Sequence, residues 1–65
     1  MKIRYFEDTD TLYIELKPGV VSESRDLDEN TLVEVDDQGQ MLAITIEHAQ
    51  SRAELPQFSY EQIAA

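Results

Sequence analysis

Apolar residues recur at every second position in four separate stretches of this chain, and that period constrains the fold more than any other feature. Ile3 and Tyr5 alternate with Lys2, Arg4 and Phe6. Leu12, Ile14 and Leu16 alternate with Thr11, Tyr13, Glu15 and Lys17. Val33 and Val35 alternate with Leu32, Glu34 and Asp36, and Leu42, Ile44 and Ile46 with Met41, Ala43, Thr45 and Glu47. In an extended strand, residues two apart share a face, so each stretch has one strongly apolar side. Its β-branched and aromatic content agrees with strand. Between the stretches lie turn formers: Glu7-Asp8-Thr9-Asp10, Pro18-Gly19, Asp28-Glu29-Asn30 and Asp37-Gln38-Gly39, with Gly39 free to take a positive φ. Short connections favour antiparallel pairing of neighbours, because parallel strands need a long crossover. The expected fold is mainly β, an antiparallel β-meander of four or five strands.

Two segments leave more room. Val20–Leu27 is polar with apolar residues only at its ends; it reads as a polar edge strand, with a loop as the alternative. His48–Arg52 reads as a turn or a single helical turn. Pro56 stops any longer helix, but Ser59 and Gln62 have capping-box spacing, which predicts a short helix over 60–64. Such a helix needs Phe58, Tyr60 or Ile63 to dock on something. The expected organisation is a β-meander over 1–52 and a tail over 53–65, the tail belonging to the same domain or to a dimer contact.

The chain has 65 residues, no cysteine, and five basic against fourteen acidic residues, for a net charge of −9. Only one domain fits this length, and a chain so short buries roughly 60% of its unfolded surface. Disulfides and thiolate metal sites are excluded. The negative charge argues against nucleic acid and anionic membrane surfaces as partners. The N-terminus lacks the apolar stretch of a signal peptide, and the longest aliphatic run is Met41-Leu42-Ala43-Ile44, so a cytoplasmic location is expected. Fewer than twenty large apolar residues must cover a sheet with two faces, and the second faces carry Phe6, Tyr13, Leu32 and Met41. That composition points to pairing with another sheet, either a homodimer or a different protein, against the simpler reading that these side chains only cover the sheet locally.

No catalytic set stands out. His48 is the only histidine, and none of Ser22, Ser24, Ser51 and Ser59 lies in a nucleophile motif. Asp26-Leu27-Asp28-Glu29-Asn30 mimics the opening of a calcium loop, but Thr31 stands where the turn wants glycine and Asp37 where a bidentate Glu is needed. Turn carboxylates are the plainer reading of these residues. Asp10 with Glu15, or Glu34 with Glu47, are carboxylate pairs that acid–base chemistry would need close together. Tyr5, Phe6, Tyr13, Phe58 and Tyr60 lack the positive groove of a base-stacking surface, so they read as core or interface. No catalytic, cofactor-binding or metal-binding residues are assigned, and no enzyme activity is expected.

Taken in order, the pieces resemble a small bacterial family catalogued as domain of unknown function 2283. Tyr5 followed by Asp10-Thr11-Leu12-Tyr13-Ile14 resembles its Tyr … Asp-x-Leu-Tyr-Ile opening. Val20–Ser24 is similar to its third strand. Val33–Gln40, with Asp36 and Gly39, is similar to its acidic turn. Leu42–Ile46, with Ile44 and Ile46, then Ala49, resembles its last strand. The likeness covers about residues 1–52. Ala43, Thr45 and Gln50 depart from the usual Gly, Glu and Ser, so a role carried by that Glu or Ser is missing here. The resemblance implies a small β protein without an established activity, with Tyr5, Asp10, Leu12, Tyr13, Ile14, Asp36, Gly39, Ile44, Ile46 and Ala49 as structural or interface positions. Association of some members with small RNA-cleaving toxin genes implies an antitoxin-like binder of a basic partner protein, which the charge would suit. The alternatives are a self-associating structural domain and a weak metal- or ligand-binding domain using the acidic turns. Solubility is the plainer explanation of the charge.

Overall fold

A computed structural model describes residues 1–64. Five strands form one antiparallel sheet: β1 (Lys2–Phe6), β2 (Thr11–Glu15), β3 (Glu23–Asp28), β4 (Thr31–Val35) and β5 (Met41–Glu47). A single 3-10 turn follows at Ala49–Ser51. The strand order is β1-β2-β5-β4-β3. β1 and β2 form a hairpin, and β3, β4 and β5 run as a consecutive meander. The order departs from a plain meander at one link: β5 inserts between β2 and β4.

The physical reason lies in β5 and in the link between β2 and β3. β5 is the longest and most apolar strand, so burial favours it at the centre, where both of its neighbours cover it. The chain leaving β2 must then cross the ends of β5 and β4 to reach the far edge. Leu16 donates its backbone N–H to the Leu42 carbonyl at 2.7 Å, and Ser22 donates to the Val35 carbonyl at 2.9 Å. Those two bonds mark the crossing. Gly19 sits against the Leu42 side chain, where a Cβ would come within 2.9 Å of a terminal methyl. The crossing also explains where β3 begins. Val20–Leu27 does contain an exposed, polar edge strand, but residues 20–22 are used in the crossing and pairing starts only at Glu23.

Register places the alternation on two faces. One face carries the row Ile3, Ile14, Ile44, Val33, Arg25 and the row Tyr5, Leu12, Ile46, Thr31, Asp28, reading across the strands. The other carries Arg4, Tyr13, Thr45, Leu32, Asp26 and Lys2, Glu15, Ala43, Glu34, Ser24. A register shift opposite Val35 gives β5 one extra residue and keeps Leu42 on the apolar face. Leu12, Val33, Val35 and Leu42 are buried; Tyr5, Ile14, Leu16, Ile44 and Ile46 are half-buried and Ile3 is exposed. No large side chain is fully buried among the described residues.

The connections use the residues expected of turns. Asp36 accepts hydrogen bonds from the Gln38 and Gln40 amides at 2.9 and 2.8 Å, and Gly39 has φ +78°. This is the side-chain-capped turn for which Asp followed by Gly is suited. The helix expected over 60–64 does not form. Its capping pattern is local, whereas a few residues cannot meet the cost of nucleation without packing. Phe58, Tyr60 and Ile63 remain exposed instead of docking. Ala65, the last residue of the expected tail, lies outside the described residues.

Candidate functional site

Three of the motif residues meet at one end of the sheet. Asp10 closes the β1–β2 turn with φ +52°, a left-handed conformation that Asp tolerates better than most residues. One Asp10 carboxylate oxygen accepts the Tyr5 hydroxyl at 2.7 Å and the Gln50 amide at 3.0 Å. The Asp10 carbonyl accepts the Ala49 amide at 3.0 Å. Ala49 is fully buried, so no larger side chain fits without displacing its neighbours. His48 also has a positive φ of +53°, which swings the chain out of β5 and brings Ala49 and Gln50 back to the β1–β2 turn. The result is a latch that joins the first hairpin to the end of the last strand.

The neighbouring turn is tied to the same end. The Asn30 carbonyl accepts the Glu47 amide at 2.8 Å and an Arg52 guanidinium N–H at 3.2 Å. Arg52 also lies 3.5 Å from an Asp28 carboxylate oxygen. Asp28 accepts the Asn30 amide at 2.8 Å, and that bond is the main reason its carboxyl ionises below the usual range. At the β3 edge the Glu23 carboxyl is held low by its hydrogen bond from Arg25, at 2.9 Å.

Hydrogen bonding to Asp10 pushes the Tyr5 hydroxyl up to about 12. The neutral phenol is the donor in that bond, so the folded state holds this proton more tightly than the unfolded chain does. The stability linked to it is fully present below the unfolded value near 10 and is lost as pH rises from about 10 to about 12. Tyr5→Phe is therefore expected to flatten the fall in stability over that window. Denaturant melts at pH 9 and pH 12, with the absorbance titration of tyrosine, measure this. Equal slopes for both proteins would remove the latch as its source.

The remaining motif positions do not join this end as a site. Leu12, Ile14, Ile44 and Ile46 are packing residues of the apolar face, and Tyr13 lies on the opposite face. Asp36 and Gly39 form the turn at the far end of the sheet. The carboxylate pairs also separate. Glu34 lies opposite Ala43, and Glu47 lies four residues further along β5, about 13 Å away. Asp10 is engaged in the latch. The calcium-like stretch is the end of β3 and its turn, with Asp28 turned to Asn30 and Arg52. Among the described residues no group of three or more His, Cys, Asp or Glu is placed to hold a metal ion. Ser51 donates to the His48 carbonyl rather than to its ring.

Sequence reading missed the Asp10–Gln50 bond and the role of Arg52, because each joins residues far apart in the chain. The only local signal was the compatibility of Asp10 with a left-handed turn. Among the described residues no helix is long and apolar enough to cross a membrane.

The family model described as protein of unknown function (DUF2283) matches residues 2–50. That span ends at Gln50, so it contains the whole sheet and the latch and leaves out Arg52 and the tail. No curated protein and no solved structure shows significant similarity to the chain.

Proposed function

The chain belongs to the DUF2283 family, whose function is unknown, and from that premise we propose that it is a cytoplasmic, non-enzymatic protein-interaction module for a basic partner. The observation that supports this is the composition of the second sheet face. Phe6, Tyr13 and Leu32 share it with Glu15, Asp26, Glu34 and Glu47, and its two cations, Lys2 and Arg4, stand only on the β1 edge. Phe6 is about half exposed, and Tyr13 and Leu32 are half-buried. Aromatic side chains give contact area at low entropic cost, and the surrounding carboxylates select a cationic surface and speed encounter. A basic RNA-cleaving toxin is the partner class that the family resemblance implies, which makes the role antitoxin-like.

Charge reversal tests the reading. The tagged protein should retain a small basic protein from lysate at low salt and release it at about 0.5 M NaCl, where screening shortens the range of the attraction. Glu15→Lys with Glu34→Lys, both half-buried on this face beside Ala43, should abolish retention while the circular dichroism of the folded sheet is kept. Retention that ignores both salt and charge reversal would sink the proposal, as would the absence of any retained basic protein.

A further inference from the structure

We propose that the open edge of β1 takes an extended peptide of another protein, one in which acidic and apolar residues alternate. The peptide joins the sheet as an added strand. The proposal concerns an edge of the sheet and does not rest on the basic-partner reading of its second face.

Hydrogen-bond direction shows which groups that edge offers. In an antiparallel ladder the N–H and C=O of one residue point to the same neighbouring strand, and successive residues point to opposite neighbours. Leu16 turns toward β5, where its N–H reaches the Leu42 carbonyl at 2.7 Å. By alternation Leu12 and Ile14 also turn toward β5, and Thr11, Tyr13 and Glu15 turn toward β1. Their partners in the register, Phe6, Arg4 and Lys2, are therefore the residues bonded to β2. Ile3 and Tyr5 are left with outward N–H and C=O groups. Glu47 gives the same answer from the other side. It donates at 2.8 Å to Asn30, which leads into β4, so Ile44 and Ile46 turn toward β2, opposite Ile14 and Leu12.

The two edges of the sheet differ. At the far edge β3 has a register shift between Asp26 and Asp28, and it carries Glu23, Asp26 and Asp28 against the single Arg25. An irregular, charged strand closes an edge to further pairing. β1 keeps an unbroken register over its five residues and contains no proline. A regular edge of this kind is a template for an added strand.

Charge selects that strand. Lys2 and Arg4 share one face of β1 and form no ion pair among the described residues. Across the ladder Lys2 stands opposite Glu15, but Arg4 stands opposite Tyr13. A second β1 would set the same cations against each other, whereas a strand with carboxylates at these positions meets them as cross-strand partners. On the other face Ile3 is exposed and lines an apolar hollow with Met1, Phe58 and Tyr60. That side suits apolar side chains. The period of two then sets the order of the peptide: acidic, apolar, acidic, apolar. The chain as a whole carries −9, but at physiological salt the Debye length is roughly 8 Å, so the two cations at the edge outweigh distant carboxylates.

Amide exchange and an NMR titration of the isotope-labelled full chain test the proposal. The probe is a peptide of about six residues, an ordinary strand length, in which glutamate alternates with valine. Without peptide, the Ile3 and Tyr5 amides should exchange at least tenfold faster than those of Arg4 and Phe6. With it, Ile3 and Tyr5 should gain protection, and Ser24 and Asp26 at the far edge should not. Ile3→Pro removes an outward N–H and no bond to β2, and an edge strand accepts proline there. That variant should keep the circular dichroism of the sheet and bind at least tenfold more weakly. Lys2→Glu with Arg4→Glu should also lose at least tenfold and should prefer a peptide with lysine in place of glutamate. Five results each overturn the proposal. They are no binding at millimolar peptide, equal binding of the lysine peptide by the wild-type chain, protection at the β3 edge instead, undiminished binding by both variants, and protection of Ile3 and Tyr5 that grows with the concentration of the chain alone. The last would assign the edge to a second copy.

Discussion

Asp10→Ala is expected to lower the unfolding free energy by about 2–4 kcal/mol. Three losses contribute. The Tyr5 hydroxyl loses a charged acceptor at 2.7 Å while it stays half-buried. The Gln50 amide loses its partner at 3.0 Å, although its exposure lets water replace that bond in part. Alanine must also adopt φ +52°, which costs roughly 1 kcal/mol for a residue with a Cβ and no side-chain bond to offset it. Other substitutions separate these terms. Asp10→Asn keeps an acceptor oxygen and tolerates the left-handed region, so it should be the mildest. Asp10→Gly removes the strain but not the lost bonds, so it should fall between Asn and Ala. A domain of this length has roughly 3–10 kcal/mol in total, so the alanine variant removes a large part of it. Urea melts give the order, and hydrogen exchange at Ala49 and Gln50 reports whether the latch opens locally. An alanine variant within about 0.5 kcal/mol of wild type would show that the turn does not depend on this carboxylate.

The latch also shows what was legible in the chain and what was not. Ile3, Leu12, Val33 and Ile44 each belong to a period-two stretch, and that period alone places them in strands and on one common face. Gly39 and Asp36 announce their turn because its chemistry is contained within a few residues. Asp10 and Gln50 are forty positions apart, and no local pattern encodes their bond. Strand order escapes for the same reason. A link of seven residues with Pro18-Gly19 in it reads equally well as a hairpin or as a crossing, and only the burial of β5 by both neighbours decides. The tail failed in the opposite direction. Ser59 and Gln62 satisfy a local rule, but the rule describes how an existing helix is capped. Nothing packs on Tyr60 and Ile63 to make the helix exist. The second face was legible in composition but not in arrangement. Tyr13 and Leu32 stood out as apolar residues on the polar side, and only the register shows them two strands apart, flanking Thr45.

A double substitution at the crossing should reverse the sign of a mutation. Leu42 is 3% exposed, so Leu42→Ala is expected to cost about 2–4 kcal/mol through lost transfer energy and the cavity left behind. Gly19→Ala alone is expected to cost about 1–2 kcal/mol, since the new methyl would lie 2.9 and 3.2 Å from the two Leu42 methyls and 3.7 Å from Cγ. Those three atoms are the ones that Leu42→Ala removes. The backbone raises no objection, because Gly39 is the glycine with a positive φ and Gly19 is not. In the Leu42→Ala background the methyl at position 19 therefore enters vacated space. It refills part of the cavity and also restricts the unfolded chain, an effect worth about 0.4–1 kcal/mol. Gly19→Ala should then stabilise the variant, and the double-mutant cycle should give a coupling of about 1–3 kcal/mol in favour of the pair. Urea melts of the four proteins measure it. Additive effects within about 0.5 kcal/mol would mean that the crossing chain can move off Leu42 freely, and that its path does not depend on a residue without a side chain. Coupling of the expected sign would tie the strand order to this contact. The link reaches the far edge of the sheet by passing directly over Leu42, and β5 keeps its central place because that passage is open.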